Sequence, residues 1–168
     1  MKFFTTTATP LGDMLLVGDG SSDGLALCGA YFIGQRHSVP VDPSWRNEPD
    51  AFSEAVVQLT EYFGGERCVF TVPLRWHGTP FQETVWRELL GIPYGATWSY
   101  RDLAEKVGHG GKARAVAAAV GRNRLAVFVP CHRVIGADGS LAGYAAGVDR
   151  KRWLLEHEGA LPRGTDTF

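Results

Sequence analysis

The sequence predicts an α+β protein built from an N-terminal α/β half and a mostly helical C-terminal half with a helix-turn-helix. Three observations carry this reading. Short strand-like runs between glycine turns fill residues 2–33. Two helix-start signatures, Thr79-Pro80-Phe81-Gln82 and Ser99-Tyr100-Arg101-Asp102, open the second half. A glycine cluster, Gly108-His109-Gly110-Gly111, then separates two short helical stretches, which is the pattern of a helix-turn-helix.

The elements follow in order. Residues 2–7 and 13–18 read as strands around the turn Pro10-Leu11-Gly12, and Leu25 to Ile33 as a third after Gly20-Ser21-Ser22-Asp23-Gly24. A polar, proline-bearing connection runs from Gly34 to about Pro49. Phe52, Val56, Leu59, Tyr62 and Phe63 recur at helical spacing and stop at Gly64-Gly65. Cys68 to Leu74 is expected to be another strand.

From Thr79 a helix runs through Val85, Trp86, Leu89 and Leu90 and ends before Pro93-Tyr94-Gly95. A short helix from Ser99 to Val107 and an alanine-rich one from Lys112 to about Val120 make the helix-turn-helix. Val148 to Gly159 is a last helix, burying Trp153, Leu154 and Leu155. The expected domains are 1–76, a scaffold, and 77–168, the functional part.

With 45% hydrophobic and 21% charged residues, the chain has globular composition. The net charge of −1 is unevenly spread. Residues 101–124 hold six basic side chains (Arg101, Lys106, Lys112, Arg114, Arg122, Arg124) against Asp102 and Glu105, which suits a polyanion met on one face as well as it suits a solvated surface. Cys28, Cys68 and Cys131 are odd in number and far apart, which argues for a reducing compartment. Neither a signal peptide nor a membrane span is read from the sequence, so a cytoplasmic protein is expected.

The most chemically loaded segment is Pro130-Cys131-His132-Arg133-Val134. A thiol reacts as thiolate, and its free pKa of roughly 8.5 can be lowered by a neighbouring imidazole, so an activated, buried nucleophile is expected at Cys131.

Arg114-Ala115-Val116, Asn123, Pro130-Cys131-His132-Arg133-Val134, Gly143-Tyr144 and the run Lys151 to Gly159 closely resemble the O6-alkylguanine–DNA alkyltransferases, also called methylated-DNA–protein-cysteine methyltransferases. The resemblance covers about Thr79 to Gly159; the N-terminal half is similar only in length and texture, and in that family it is RNase H-like. It implies a protein that repairs double-stranded DNA by taking the alkyl group of O6-alkylguanine onto its own Cys131, in a single turnover and without a cofactor. Alkylthymine, alkylated at O4, is an open second substrate.

The same resemblance assigns roles. Cys131 would be the nucleophile, His132 its base acting through a water, Glu158 the carboxylate orienting His132, and Tyr100 the acid toward the leaving guanine. Arg114 would enter the base stack as the nucleotide flips out, with Tyr100, Ala115, Arg101 and Lys112 also on the DNA-binding surface. Val134, Tyr144, Ala145 and Asn123 would line the base pocket, Asn123 tying the helix-turn-helix to the active-site loop. Lys151 would place the cysteine loop or the tyrosine, and Arg133 would pair inside the domain.

Zinc occurs in some relatives, but Cys28, Cys68 and the remaining histidines show no ligand spacing in the sequence, so no metal is expected. Arg124, Ala117 and Ala145 depart from the family's usual proline, glycine and serine, which points to altered DNA affinity or lesion preference. The alternative is a protein that recognises alkylated DNA without repairing it. A monomer is expected, with cooperative binding along DNA left open.

Overall fold

The computed structural model describes residues 1–21, 24–141 and 143–162. Ser22 and Asp23 of the expected turn at 20–24, and Ala142, lie outside the described residues. The chain forms two compact units: Met1–His77 with Arg124–Phe128, and Gly78–Asn123 with Val129–Phe168.

In the first unit β1 (Lys2–Thr7), β2 (Met14–Ser21) and β3 (Gly24–Phe32) make an antiparallel meander, and a two-residue β4 (Arg46–Asn47) pairs parallel with β1. The helix expected over 51–63 begins as a 3-10 turn, Pro49–Phe52, and continues as α1 (Ser53–Phe63). On β2, Met14, Leu15, Leu16 and Val17 are all buried, so the strand has apolar cover on both faces and shows no alternation. Leu15 and Val17 cluster with Cys28 and Tyr31 under Phe4, Val39 and Trp45, the last two supplied by the polar connection after β3.

The strand expected from Cys68 to Leu74 does not form. Only Leu74 bridges to Leu27, through Leu27 N–H to the Pro73 carbonyl and Arg75 N–H to the Leu27 carbonyl. Pro73 has no N–H to extend the ladder, and Val69 points into solvent. Further along β3, Ala30 donates to the Arg124 carbonyl and accepts from Ala126, which ties 124–128 to this unit. Val127 lies there in the left-handed region at φ 74°, a strained conformation for a β-branched residue.

The second unit holds α2 (Pro80–Leu89), β5 (Trp98–Ser99), α3 (Tyr100–Lys106), α4 (Ala113–Gly121), β6 (Val134–Ile135) and α5 (Val148–His157). Both capping boxes form as read, Thr79 with Gln82 and Ser99 with Asp102. α2, α3 and α4 pack on one another. Trp86, buried on α2, donates its indole N–H to the Ala119 carbonyl of α4 at 2.8 Å. Gly78 lies against that indole, where a Cβ would collide with the ring. No helix among the described residues is long and apolar enough to cross a membrane.

Candidate active site

Pro130 leads into a 3-10 turn, Cys131–Arg133, followed at once by β6. The turn aims three successive side chains into the second unit, where all three are buried. β6 pairs parallel with β5, Trp98 opposite Val134 and Ser99 opposite Ile135. That pairing sets the N-cap of α3, and so Tyr100, beside the cysteine turn. Nothing in the sequence signals it, because two-residue strands carry no periodicity.

Asn123, two residues past α4, donates from Nδ2 to Cys131 Sγ at 3.1 Å and to the Val129 carbonyl at 2.9 Å. One amide thus fixes the approach to the turn and contacts the sulfur. His132 Nε2 lies 2.7 Å from Glu158 Oε2. Arg133 grips the same carboxylate through Nε to Oε1 (2.7 Å) and NH2 to Oε2 (3.0 Å), and donates to the Ile92 carbonyl at 2.7 Å. Its guanidinium lies over the Tyr94 ring. Glu158 is the C-cap of α5, so the helix end positions it.

The electrostatics differ from the sequence expectation in one respect. Burial pushes the Cys131 thiol above its ordinary range, and the Asn123 hydrogen bond and Lys151 charge only partly oppose this. The lowering that a neighbouring imidazole could give is therefore outweighed, and Cys131 is held as a neutral thiol until a base takes its proton. Burial also lowers His132 below the usual imidazole value, with Glu158 pulling the other way. Burial alone would raise Glu158, but the hydrogen bonds and charges of His132 and Arg133 overcome it and hold the carboxyl down to about 2. An ionised Glu158 can only accept, so His132 Nε2 carries the ring proton and Nδ1 keeps its lone pair. Neutral His132 is thus a base in waiting.

Tyr100 is half-buried; burial raises its phenol, so it keeps its proton at neutral pH. Gly143, at φ 95°, brings its backbone so near that a Cβ there would fall 3.1 Å from the Tyr100 hydroxyl. Only glycine fits that conformation and that approach without strain. Lys151, fully buried on α5, donates from Nζ to the Val134 carbonyl at 2.6 Å and lies 5.8 Å from the Tyr100 ring centre. Burial brings its ammonium down to about 8, with Cys131 acting against it. Lys151 thus hydrogen-bonds Val134, just past the cysteine turn, and lies near the Tyr100 ring.

Val134, Tyr144 and Asn123 are buried and Ala145 is half-buried. Arg101, Lys112, Arg114 and Ala115 are exposed on the α3–α4 pair. Lys112 is the N-cap of α4 and Arg114 its second residue, and the first turn holds no acidic side chain. In the first unit, Asp19, Cys28 and His77 each bring a ligand atom within 4.8 Å of one another, a grouping hidden by their distance in sequence. Asp19 Oδ2 there accepts from His77 Nε2 at 2.8 Å and lies 3.8 Å from Arg75, so ion pairing accounts for its position.

Two family models match the chain. Residues 80–160 match the DNA-binding domain of 6-O-methylguanine DNA methyltransferase, and residues 2–76 its ribonuclease-like domain. The chain belongs to the 6-O-methylguanine DNA methyltransferase family. It is 47% identical over 158 residues to the methylated-DNA–protein-cysteine methyltransferase of Mycobacterium tuberculosis, covering 94% of this chain and 93% of that one. The constitutive enzyme of Bacillus subtilis is 42% identical, with 94% and 96% covered. Among solved structures, Mycobacterium tuberculosis OGT in complex with DNA aligns with a TM-score of 0.86 at 46% identity, covering 94% and 93%. The mixed α+β architecture is that of this methyltransferase family. The segment matching its DNA-binding domain contains Cys131, His132, Glu158, Asn123, Tyr100 and Arg114.

Proposed function

We propose that this protein repairs double-stranded DNA by moving the alkyl group of O6-alkylguanine, methyl in the simplest case, onto Cys131, once per molecule. The observation that carries the reading is the turn that holds Cys131 Sγ on Asn123 and sets the next residue, His132, on an ionised Glu158. These are a nucleophile, a base and an orienting carboxylate, the last with its charge held by Arg133.

The reaction follows from those groups. His132 Nδ1 takes the thiol proton through a water, and Glu158 stabilises the imidazolium. The sulfur forms a bond to the alkyl carbon as the carbon–O6 bond breaks, and the electron pair stays on guanine. Tyr100 donates a proton to the departing base in this reading, general acid catalysis of a kind that contributes typically ~10²–10⁴-fold. The product is a thioether; no group of the site is suited to remove it, so the protein is consumed.

O6 sits inside a stacked duplex, so the nucleotide must be extruded at a cost of a few kcal/mol. The start of α4 suits this. Cations at a helix N-terminus oppose the helix dipole by roughly 0.3–1 kcal/mol each. Lys112 and Arg114 at that end are unfavourable within the chain and favourable against phosphate. Arg114 is the residue to occupy the gap in the stack, Arg101 and Lys112 the phosphate contacts, and the small Ala115 permits close approach. Val134, Tyr144 and Ala145 receive the base. The three free cysteines support the cytoplasmic location expected from the sequence.

The test is stoichiometry. Incubated with excess duplex carrying one O6-methylguanine, the protein gains one methyl on the Cys131 peptide and stops. Cys131→Ser gains none and keeps its DNA affinity. DNA binding by the wild-type chain without any methyl gain would instead favour a recognition protein that does not repair, the reading against which the intact Cys131 speaks.

A further inference from the structure

Two buried side-chain polar atoms among the described residues have no hydrogen-bond partner: His132 Nδ1 and Tyr144 Oη. Their chemistry is complementary. Nδ1 is an acceptor, because Nε2 spends its proton on Glu158. A phenol both donates and accepts, and a buried tyrosine hydroxyl ordinarily finds a partner. Both residues belong to the nucleophile's surroundings: His132 follows it in sequence, and Tyr144, buried on the pocket loop, is within electrostatic reach of Cys131 and Glu158. Orphaned buried polar atoms are rare enough that two in one site call for a shared explanation.

The geometry points to Tyr144 as a positioning residue for proton transfer: its hydroxyl and His132 Nδ1 together hold the water that carries the proton from Cys131. This rests on the alkyl-transfer reading and adds a member to that machinery. A water has two protons and two lone pairs. In the proposed arrangement it donates to His132 Nδ1, accepts from the Tyr144 hydroxyl and accepts the S–H of Cys131. When sulfur attacks, the thiol proton moves to the water and a water proton moves to Nδ1, giving a thiolate and an imidazolium. The Tyr144 hydroxyl keeps its own proton and fixes the orientation.

The charged and titratable groups around this water are Cys131, His132 and Arg133 on the turn, Lys151, Arg150 and Glu158 from α5, and Tyr100 from α3. Burial raises the Tyr144 phenol well above its ordinary range, so it stays a donor at neutral pH.

The experiment compares wild type with Tyr144→Phe in single-turnover transfer from O6-methylguanine duplex, from pH 6 to 9. In parallel, the rate of iodoacetamide alkylation at Cys131 is followed without DNA. Removing the hydroxyl leaves the ring in place, and DNA affinity is measured alongside so that a binding loss is separated from a change in the transfer step. Transfer is expected to slow about tenfold, and both rate profiles should move to higher pH. A merely structural tyrosine would lower the rate without moving the profile. Superimposable profiles for the two proteins overturn the proposal, whereas wild-type protein without transfer overturns the functional reading. Should Tyr144→Phe fold poorly, fluorotyrosine placed at 144 keeps the ring and strengthens the donor; an unchanged profile there would also overturn it.

Discussion

Glu158 serves two partners with two oxygens: Oε1 takes the Arg133 Nε–H, and Oε2 takes both Arg133 NH2 and His132 Nε2. Replacing it by glutamine removes the charge and turns one acceptor into a donor facing a guanidinium. Breaking a buried pair from one side costs about 3–5 kcal/mol, because the remaining charge is left without compensation. Glu158→Gln is therefore expected to lose that much in urea unfolding at pH 7 and to transfer more slowly. The pH dependence follows from the same pair. The folded pKa of about 2 lies below the unfolded value of about 4.3, so the stabilisation is present above about pH 5 and disappears as pH falls from 4 to 2. At roughly 1.4 kcal/mol per unit, this is on the order of 3 kcal/mol. The wild type should lose that increment between pH 5 and pH 2 while Glu158→Gln does not; parallel acid profiles would contradict the assignment. Cys131, His132 and Glu158 were named from the family resemblance of two local motifs, and of this set the His132–Glu158 hydrogen bond is what the fold shows. That the thiol is held neutral, and that the Tyr144 hydroxyl lacks a partner, were not legible in the sequence, because burial is a property of the assembled unit.

The helices show how far local signals reach. Both capping boxes read from Thr79/Gln82 and Ser99/Asp102 form, because the side chains that satisfy the first free N–H groups lie within three residues of each other. The β5–β6 pairing was invisible: it joins segments 36 residues apart through two residues each, with no pattern in either. The expected strand at Cys68–Leu74 failed for the opposite reason, since apolar content suggested a ladder that Pro73, lacking an N–H, cannot extend. α4 carries the testable consequence at this scale. Arg114→Ala should slow transfer on duplex DNA far more than on free O6-alkylguanine, because only the duplex needs a residue in the vacated stack; equal slowing on both would remove Arg114 from that role. Lys112→Ala should weaken binding similarly for all sequences and lower the slope of log K against log salt by about one. An unchanged slope would mean that Lys112 contacts no phosphate.

Chain order and unit membership part company at residues 124–128, and no sequence signal marked it. They follow α4 and precede Pro130, yet they belong to the first unit. Leu125, Ala126, Val127 and Phe128 are buried, and the Phe128 ring lies 4.6 Å from Phe70, itself 5.4 Å from Tyr62 of α1. The N-terminal domain read as 1–76 is thus proposed to be incomplete by itself. Removing a buried phenylalanine costs about 3–5 kcal/mol, and Leu125 adds about 2–5. Together these rival the whole stability of a typical domain, about 5–15 kcal/mol. A fragment of residues 1–77 is therefore expected to lack a cooperative urea transition by circular dichroism, although it keeps all of β1–β4 and α1. In the full chain, Phe128→Ala should lower the unfolding free energy by about 3–5 kcal/mol while the Cys131 site keeps its residues. A fragment 1–77 that unfolds as cooperatively as the full chain would show that the segment is dispensable to the first unit.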